Sequence, residues 1–253
     1  MNKIIRGKNV NTKKVKVLFI AQVVMGVMPV LLLIFFVWQK LYQTPIVAAV
    51  FIVLIFLCNL AYVFLARWYS VLNSGVKGER HLFRTVKKLH GTNIVFHNLP
   101  VRYKRGRSEL DMLIINHSGV IIVEVKNHSG TISGSWNDEK WTQRKHYRDG
   151  KVTETQMDNP VKQMRRQRDI VKSILTAAGE NVWIDSVLYF SCPNARLKLS
   201  LRENDYVCSD SAELLEYLRE YDRGETLSKS RMEHIAAILR DAAGLNKHKI
   251  STK

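Results

Sequence analysis

The chain is 253 residues long, 46% hydrophobic and 24% charged, with 39 Lys and Arg against 22 Asp and Glu and a formal net charge of +17. This composition excludes global disorder, and three cysteines exclude a disulfide framework or an all-cysteine zinc site. The charge is unevenly spread: residues 1–78 hold nine cations and no Asp or Glu, while the rest, from Glu79 onward, keeps thirty cations against all 22 acids, a net +8.

In chain order, residues 1–16 read as a basic arm carrying Lys3, Arg6, Lys8, Lys13, Lys14 and Lys16, cations expected to face lipid and set topology. Two uncharged apolar runs follow, 17–38 and 45–66. At about 1.5 Å per residue each reaches about 33 Å, enough for a hydrocarbon core of about 30 Å. Gln22 and Asn59 read as helix–helix hydrogen-bonding groups, and the absence of ionisable groups speaks against a transport path. The connection between the runs holds one cation, Lys40, so the positive-inside rule places both ends in the cytoplasm. The expectation is a two-pass cell-membrane anchor, touching lipid through residues 1–70, with the N-terminus and all that follows cytoplasmic.

Beyond the anchor, Glu79, Leu82, Phe83, Val86 and Leu89 share one face of a helix expected to begin near 75–78. Residues 94–99 read as a strand and 102–107 as a basic loop. Residues 110–116 and 120–126 form a hairpin around His117, Ser118 and Gly119, shorter strands fall at 131–133 and 141–147, and Asp149-Gly150 is a turn signal. Asn159-Pro160 opens a helix to about 178. A buried strand (182–191), a short strand (206–209), a helix capped by Asp210 with Glu213, and a last helix over 228–243 complete the series. The order implies an α/β domain with a mixed sheet. The expected divisions are 1–16, 17–38, 45–66, a catalytic-type domain over 74–190, and an extension with two helices over 191–253.

Strand alternation puts Glu124 and Lys126 on one face, and the hairpin puts Asp111 opposite approximately Glu124. Two carboxylates so close repel unless a cation lies between them. Oxygen ligands of this kind suit Mg²⁺ or Mn²⁺, and an adjacent lysine can orient a water or stabilise phosphate charge. Trp136 and Trp141 read as packing residues, and no histidines stand at metal-ligand spacing.

These residues resemble the D…ExK core of the PD-(D/E)XK nucleases, and within that superfamily the chain resembles the NERD (nuclease-related domain) family. The matching pieces, in order, are Gly75-Val76-Lys77-Gly78-Glu79, Glu109-Leu110-Asp111, Gly119 through Asn127, Ser129-Gly130-Thr131-Ile132, Trp141, and Asn159-Pro160-Val161-Lys162-Gln163. Leu110 stands where the superfamily has proline. The resemblance implies a restriction-endonuclease-like mixed sheet flanked by helices, and metal-dependent phosphodiester hydrolysis of DNA or RNA. It further implies Asp111, Glu124 and the Val125 carbonyl as ligands of Mg²⁺ or Mn²⁺, Lys126 as the residue that positions water, and Glu79 and Gln163 as accessory groups. Arg102, Lys104, Arg105, Arg107, Lys162, Arg165 and Arg166 are expected to contact nucleic acid, with Arg144, Lys145, Arg148 and Lys151 adding to a basic rim. The other reading is an inactive nuclease fold that binds nucleic acid or recruits partners at the membrane.

Overall fold

The computed structural model describes residues 2–7, 10–224 and 226–245. The chain divides into two compact units, Asn9–Lys77 and a larger one formed by Met1–Lys8 with Gly78–Lys253.

The smaller unit contains helix α1 (Val10–Trp38) and the first part of helix α2 (Pro45–Val86). A short 3-10 turn, Leu41–Gln43, joins them after Lys40, whose φ of 52° reverses the chain. Two stretches, Asn11–Trp38 and Pro45–Val86, are long and apolar enough to cross a bilayer. Ile20, Leu31, Ile46 and Val63 are exposed along them, as side chains facing hydrocarbon would be. Asn59 does not bridge the two helices: its amide donates to the Ile55 carbonyl of its own helix at 2.8 Å. A carbonyl one turn back is always within reach of a short polar side chain.

The helix expected to start near residue 75 is instead the continuation of α2. No proline interrupts residues 46–86, and a helical glycine costs only about 1 kcal/mol relative to alanine. Gly78 also has a use: a Cβ there would lie 3.0 Å from the Asn127 Cβ and 3.1 Å from the Ser191 Oγ. Glycine lets the helix approach the strand ends that carry the charged residues.

The larger unit is built on a six-stranded mixed sheet, as the sequence implies. Its strands are β1 (Lys3–Arg6), β2 (Ile94–Tyr103), β3 (Gly106–Asn116), β4 (Gly119–Lys126), β8 (Ile184–Phe190) and β10 (Tyr206–Cys208), in the order β1-β2-β3-β4-β8-β10. β2, β3 and β4 are antiparallel neighbours, whereas β1 on β2, β8 on β4 and β10 on β8 are parallel.

Strand β1 is not foreseen by the sequence reading, which treats its residues as a lipid-facing arm. Lys3 pairs with Glu233 at 2.6 Å, and the Arg6 guanidinium lies 4.8 Å from the Phe83 ring centre. The expected basic loop at 102–107 is also largely strand, with Arg102 directly opposite Arg107 and Lys104 at the tip with φ 49°.

A second sheet contains β5 (Gly130–Ser135), β6 (Lys140–His146), β7 (Val152–Asp158) and β9 (Ala195–Ser200), in the order β7-β6-β5-β9. β7 follows the Asp149-Gly150 turn. β9 has a period-two pattern the sequence reading passed over: Arg196, Lys198 and Ser200 are exposed while Ala195, Leu197 and Leu199 are half-buried.

Three helices complete the unit: α3 (Pro160–Ala177), α4 (Ser211–Glu220) and α5 (Lys229–Ala242), capped by Asn159, Asp210 and Ser228. The large sheet is covered on both faces. Val120 and Ile122 of β4 pack with α3 and α5, while Ile121 and Val123 pack with the end of α2 and with α4. This double burial explains the unbroken apolar run of β4. Trp141, fully buried as expected of a packing residue, closes the space between the two sheets with Ile132, Met164 and Phe190.

If β1 is an integral strand, Ile5→Pro removes ladder bonds from it and lowers stability by about 2 kcal/mol, a fall in Tm of about 4–8 °C. Thermal unfolding of the full chain in detergent checks this. An arm that only touched lipid would leave the Tm unchanged.

Candidate active site

The β3–β4 ladder runs from Asn116↔Gly119 to Met112↔Val123 and then stops. One position further, Asp111 would face Glu124. There the Asp111 Oδ2 accepts the Val125 amide at 2.8 Å, so a side chain takes the place of a backbone rung. The β2–β3 ladder is interrupted at the same level: His97↔Met112 and Leu99↔Leu110 flank an unpaired Asn98, held at φ 55°. Both neighbours of β3 thus part from it at Asp111. Leu110, at the superfamily's proline position, is fully buried in the core and contributes packing only.

Glu124 is 2% exposed, and both its oxygens are occupied. Oε1 accepts from Lys126 Nζ at 2.7 Å and Oε2 from Gln167 Nε2 at 2.6 Å. Lys126 Nζ also donates to Gln163 Oε1 at 2.9 Å. Gln167, fully buried, further donates to the Glu109 carbonyl at 3.2 Å. Glu79, delivered by α2, accepts from Asn98 Nδ2 at 3.1 Å. The structure therefore gathers Glu79, Asp111, Glu124, Lys126 and Gln163 where the central strands β3 and β4 part.

Burial holds the Asp111 carboxyl well above its ordinary range, and repulsion from Glu124 adds to this. The Val125 amide and Lys126 oppose the rise, and Glu79 contributes a smaller upward push. The centre thus holds three acids and one cation, and two of the acids raise the cost of ionising the third.

That excess of negative charge fits a divalent cation. Among the described residues no group of three or more His, Cys, Asp or Glu is disposed around a common metal position. An ion of the Mg²⁺ type would need only one or two carboxylates, its other positions being filled by water or phosphate oxygens.

Residues 74–191 match the family model described as "Nuclease-related domain", NERD. This segment is a NERD domain. An uncharacterized protein of Bacillus anthracis is 37% identical over 71 residues, 27% of this chain, and the chain spans about a third of that relative's length. No solved structure matches the chain.

Around the NERD centre the expected cations fall into three groups. Lys162 pairs with Glu139, and Arg165 pairs with Asp205, so these two are engaged within the protein. Arg166 is exposed on α3. Arg102 and Arg107 are exposed on the β2–β3 hairpin, with Lys104 and Arg105 at its tip. Trp136 is half-buried under cations, 3.5 Å from the Arg202 guanidinium carbon and 5.5 Å from that of Arg165.

Two residues of the centre escaped the sequence reading. Gln167 interrupts the apolar stripe of α3 formed by Val161, Met164, Val171 and Ile174, and a lone amide on such a stripe was the available signal. Asn98 is an asparagine in a largely apolar strand, a residue that tolerates the left-handed conformation it adopts.

The raised Asp111 carboxyl has a signed consequence. An acid whose folded pKa exceeds its unfolded value near 3.9 withdraws stability as pH rises through that interval. Asp111→Asn, which keeps an acceptor for the Val125 amide, is expected to raise the Tm at pH 7 in EDTA by several degrees and to do so less at pH 4. Adding Mn²⁺ is expected to stabilise the wild type more than the variant. Calorimetry at both pH values, with and without Mn²⁺, measures each effect.

Proposed function

We propose that the protein is a membrane-anchored, metal-dependent nuclease that hydrolyses phosphodiester bonds of DNA or RNA. The observation that carries this reading is the meeting of Asp111, Glu124 and Lys126 at the ladder break of a NERD domain. Asp111, Glu124 and the Val125 carbonyl would hold Mg²⁺ or Mn²⁺, as the chemistry of the donor set favours. When bound, the ion would polarise a phosphate oxygen and make a water acidic enough to attack.

The chain's own residues supply orientation. Glu124 Oε1 and Gln163 Oε1 fix the Lys126 ammonium by two of its three protons, leaving the third for the attacking water or for a phosphate oxygen. Glu79, tethered by Asn98, adds a carboxylate beside Asp111 able to take the proton released by that water.

The β2–β3 hairpin offers a place for the rest of the strand. By alternation along β3, Arg107 and its partner Arg102 share the face of Asp111, about 13 Å away. Like charges placed directly opposite are unfavourable, a cost that a bound phosphate would relieve.

The pairing of β1 supports a hairpin topology. Residues on either side of the two apolar helices pair within one sheet, Lys3↔Ile94 through Arg6↔His97, so both lie on the same side of any membrane those helices cross. Together with the cation bias, this supports a two-pass hairpin with the NERD domain in the cytoplasm.

Two measurements test the reading. Labelled DNA and RNA should be cleaved by the full chain in Mg²⁺ or Mn²⁺, and Lys126→Ala should lower the rate about 10²–10⁴-fold. Salt-dependent binding with no turnover by the wild type would favour the inactive-fold reading instead. For topology, Gln39→Cys should react with an impermeant maleimide in intact cells while Cys192 stays protected; the opposite pattern would invert the orientation.

A further inference from the structure

Beyond Lys126 the chain runs through Asn127 and His128 to Ser129, where β5 begins one residue later. Gly130 makes this path feasible: its φ is 83°, and a Cβ there would lie 2.4 Å from the Arg144 carbonyl oxygen. The adjacent loop after β8 is fastened alongside, with the Ser191 amide on the Lys126 carbonyl at 2.9 Å and the Gly130 amide on the Asn194 carbonyl at 3.0 Å. Between these loops and the end of β6 lies a cleft of about 570 Å³, a volume typical of small-ligand sites.

The lining of this cleft has a clear chemical bias. Lys145 and Arg196 are its cations, His146 and Tyr147 its aromatic residues, and no Asp or Glu lines it. None of the ion pairs formed among the described residues engages Lys145 or Arg196. Tyr147 is 50% exposed. On the stretch after Lys126, burial first and then the charge of Lys126 depress the His128 imidazole, a hydrogen bond with Gln143 opposes this, and Lys145 depresses it a little further.

We propose that this cleft is a substrate subsite for single-stranded nucleic acid, in which Lys145 and Arg196 hold a backbone phosphate and Tyr147 stacks on an unpaired base. The inference rests on the nuclease reading and narrows it: the chain being cleaved leaves the catalytic lysine along residues 127–129 with its bases unstacked. Cations that track a backbone and an exposed ring that accepts any base are the components of non-sequence-specific single-strand recognition. A base inside a duplex has both faces covered by its neighbours and offers none to Tyr147.

Fluorescence anisotropy of the full chain in detergent, in EDTA so that no hydrolysis occurs, tests the subsite with labelled ten-nucleotide oligo-dT, oligo-U and a blunt DNA duplex. Lys145→Glu with Arg196→Glu is expected to weaken oligo-dT and oligo-U binding at least tenfold. The control pair Arg219→Glu with Lys229→Glu, equal in charge and exposed on α4 and α5, should change it less than threefold. Tyr147→Ala should cost about tenfold on single strands and leave the duplex unaffected, while Tyr147→Phe should behave as wild type. Equal losses in the cleft and control pairs, or equal sensitivity of duplex and single strand to Tyr147→Ala, would overturn the proposal. The nuclease reading fails separately, if Lys126→Ala cleaves as fast as wild type; a silent cleft with an inactive Lys126→Ala variant removes the subsite alone.

Discussion

A nearly buried carboxylate at the end of an apolar strand constrains much of this structure. Glu124 needs a partner on each oxygen, because an ionised acid shut away from water costs several kcal/mol when unpaired. One partner, Lys126, comes from its own strand, and the other, Gln167, comes from α3. Gln163, one turn earlier on α3, holds Lys126 in turn. Two glutamines four residues apart lie on one helix face, so a single helix orientation satisfies the whole network. That requirement fixes how α3 lies across the sheet and, through the Gln167 contact with the Glu109 carbonyl, where β3 lies beside β4.

The ladder break at Asp111 has the same origin. A side chain takes a bond that backbone would otherwise make, and Asn98 across the strand gives up its rung to reach Glu79. Regular pairing is lost where the carboxylates converge: the β2–β3 ladder resumes one residue further on, at Leu99↔Leu110, whereas the β3–β4 ladder ends there. Local irregularity of this kind is expected where chemistry outranks stability. The acids are held together against their mutual repulsion by neutral amides and one lysine, a balance that leaves the centre net negative.

Much of this was legible in the residues. Period-two and period-3.6 patterns locate most strands and helices, and Asp111 with Glu124 and Lys126 stand out because charges are costly in such apolar company. What escaped has physical reasons. β1 carries Lys3 and Arg6 among only two isoleucines, so its composition speaks of an arm rather than a strand; only pairing with a partner some ninety residues away makes it one. The continuity of α2 was hidden because Gly75 and Gly78 look like stop signals, whereas Gly78 serves close approach to Asn127 and Ser191. Gln167 and Asn98 act through partners distant in sequence, which no local pattern reveals. The tip of the β2–β3 hairpin read as a loop because its cations masked an extended conformation set by the strand beside it.

The position of β1 also bears on the order of assembly. It is synthesised before both apolar helices, whereas its partner β2 emerges only after them. Until then the β2 edge of the sheet has no cover, and open edges invite pairing with other chains. Closing so long a loop is entropically slow unless something brings its ends together. On the two-pass reading proposed above, a hairpin that returns the chain to the side it started from would do so, and insertion into a bilayer would then be a folding step of the NERD domain as well.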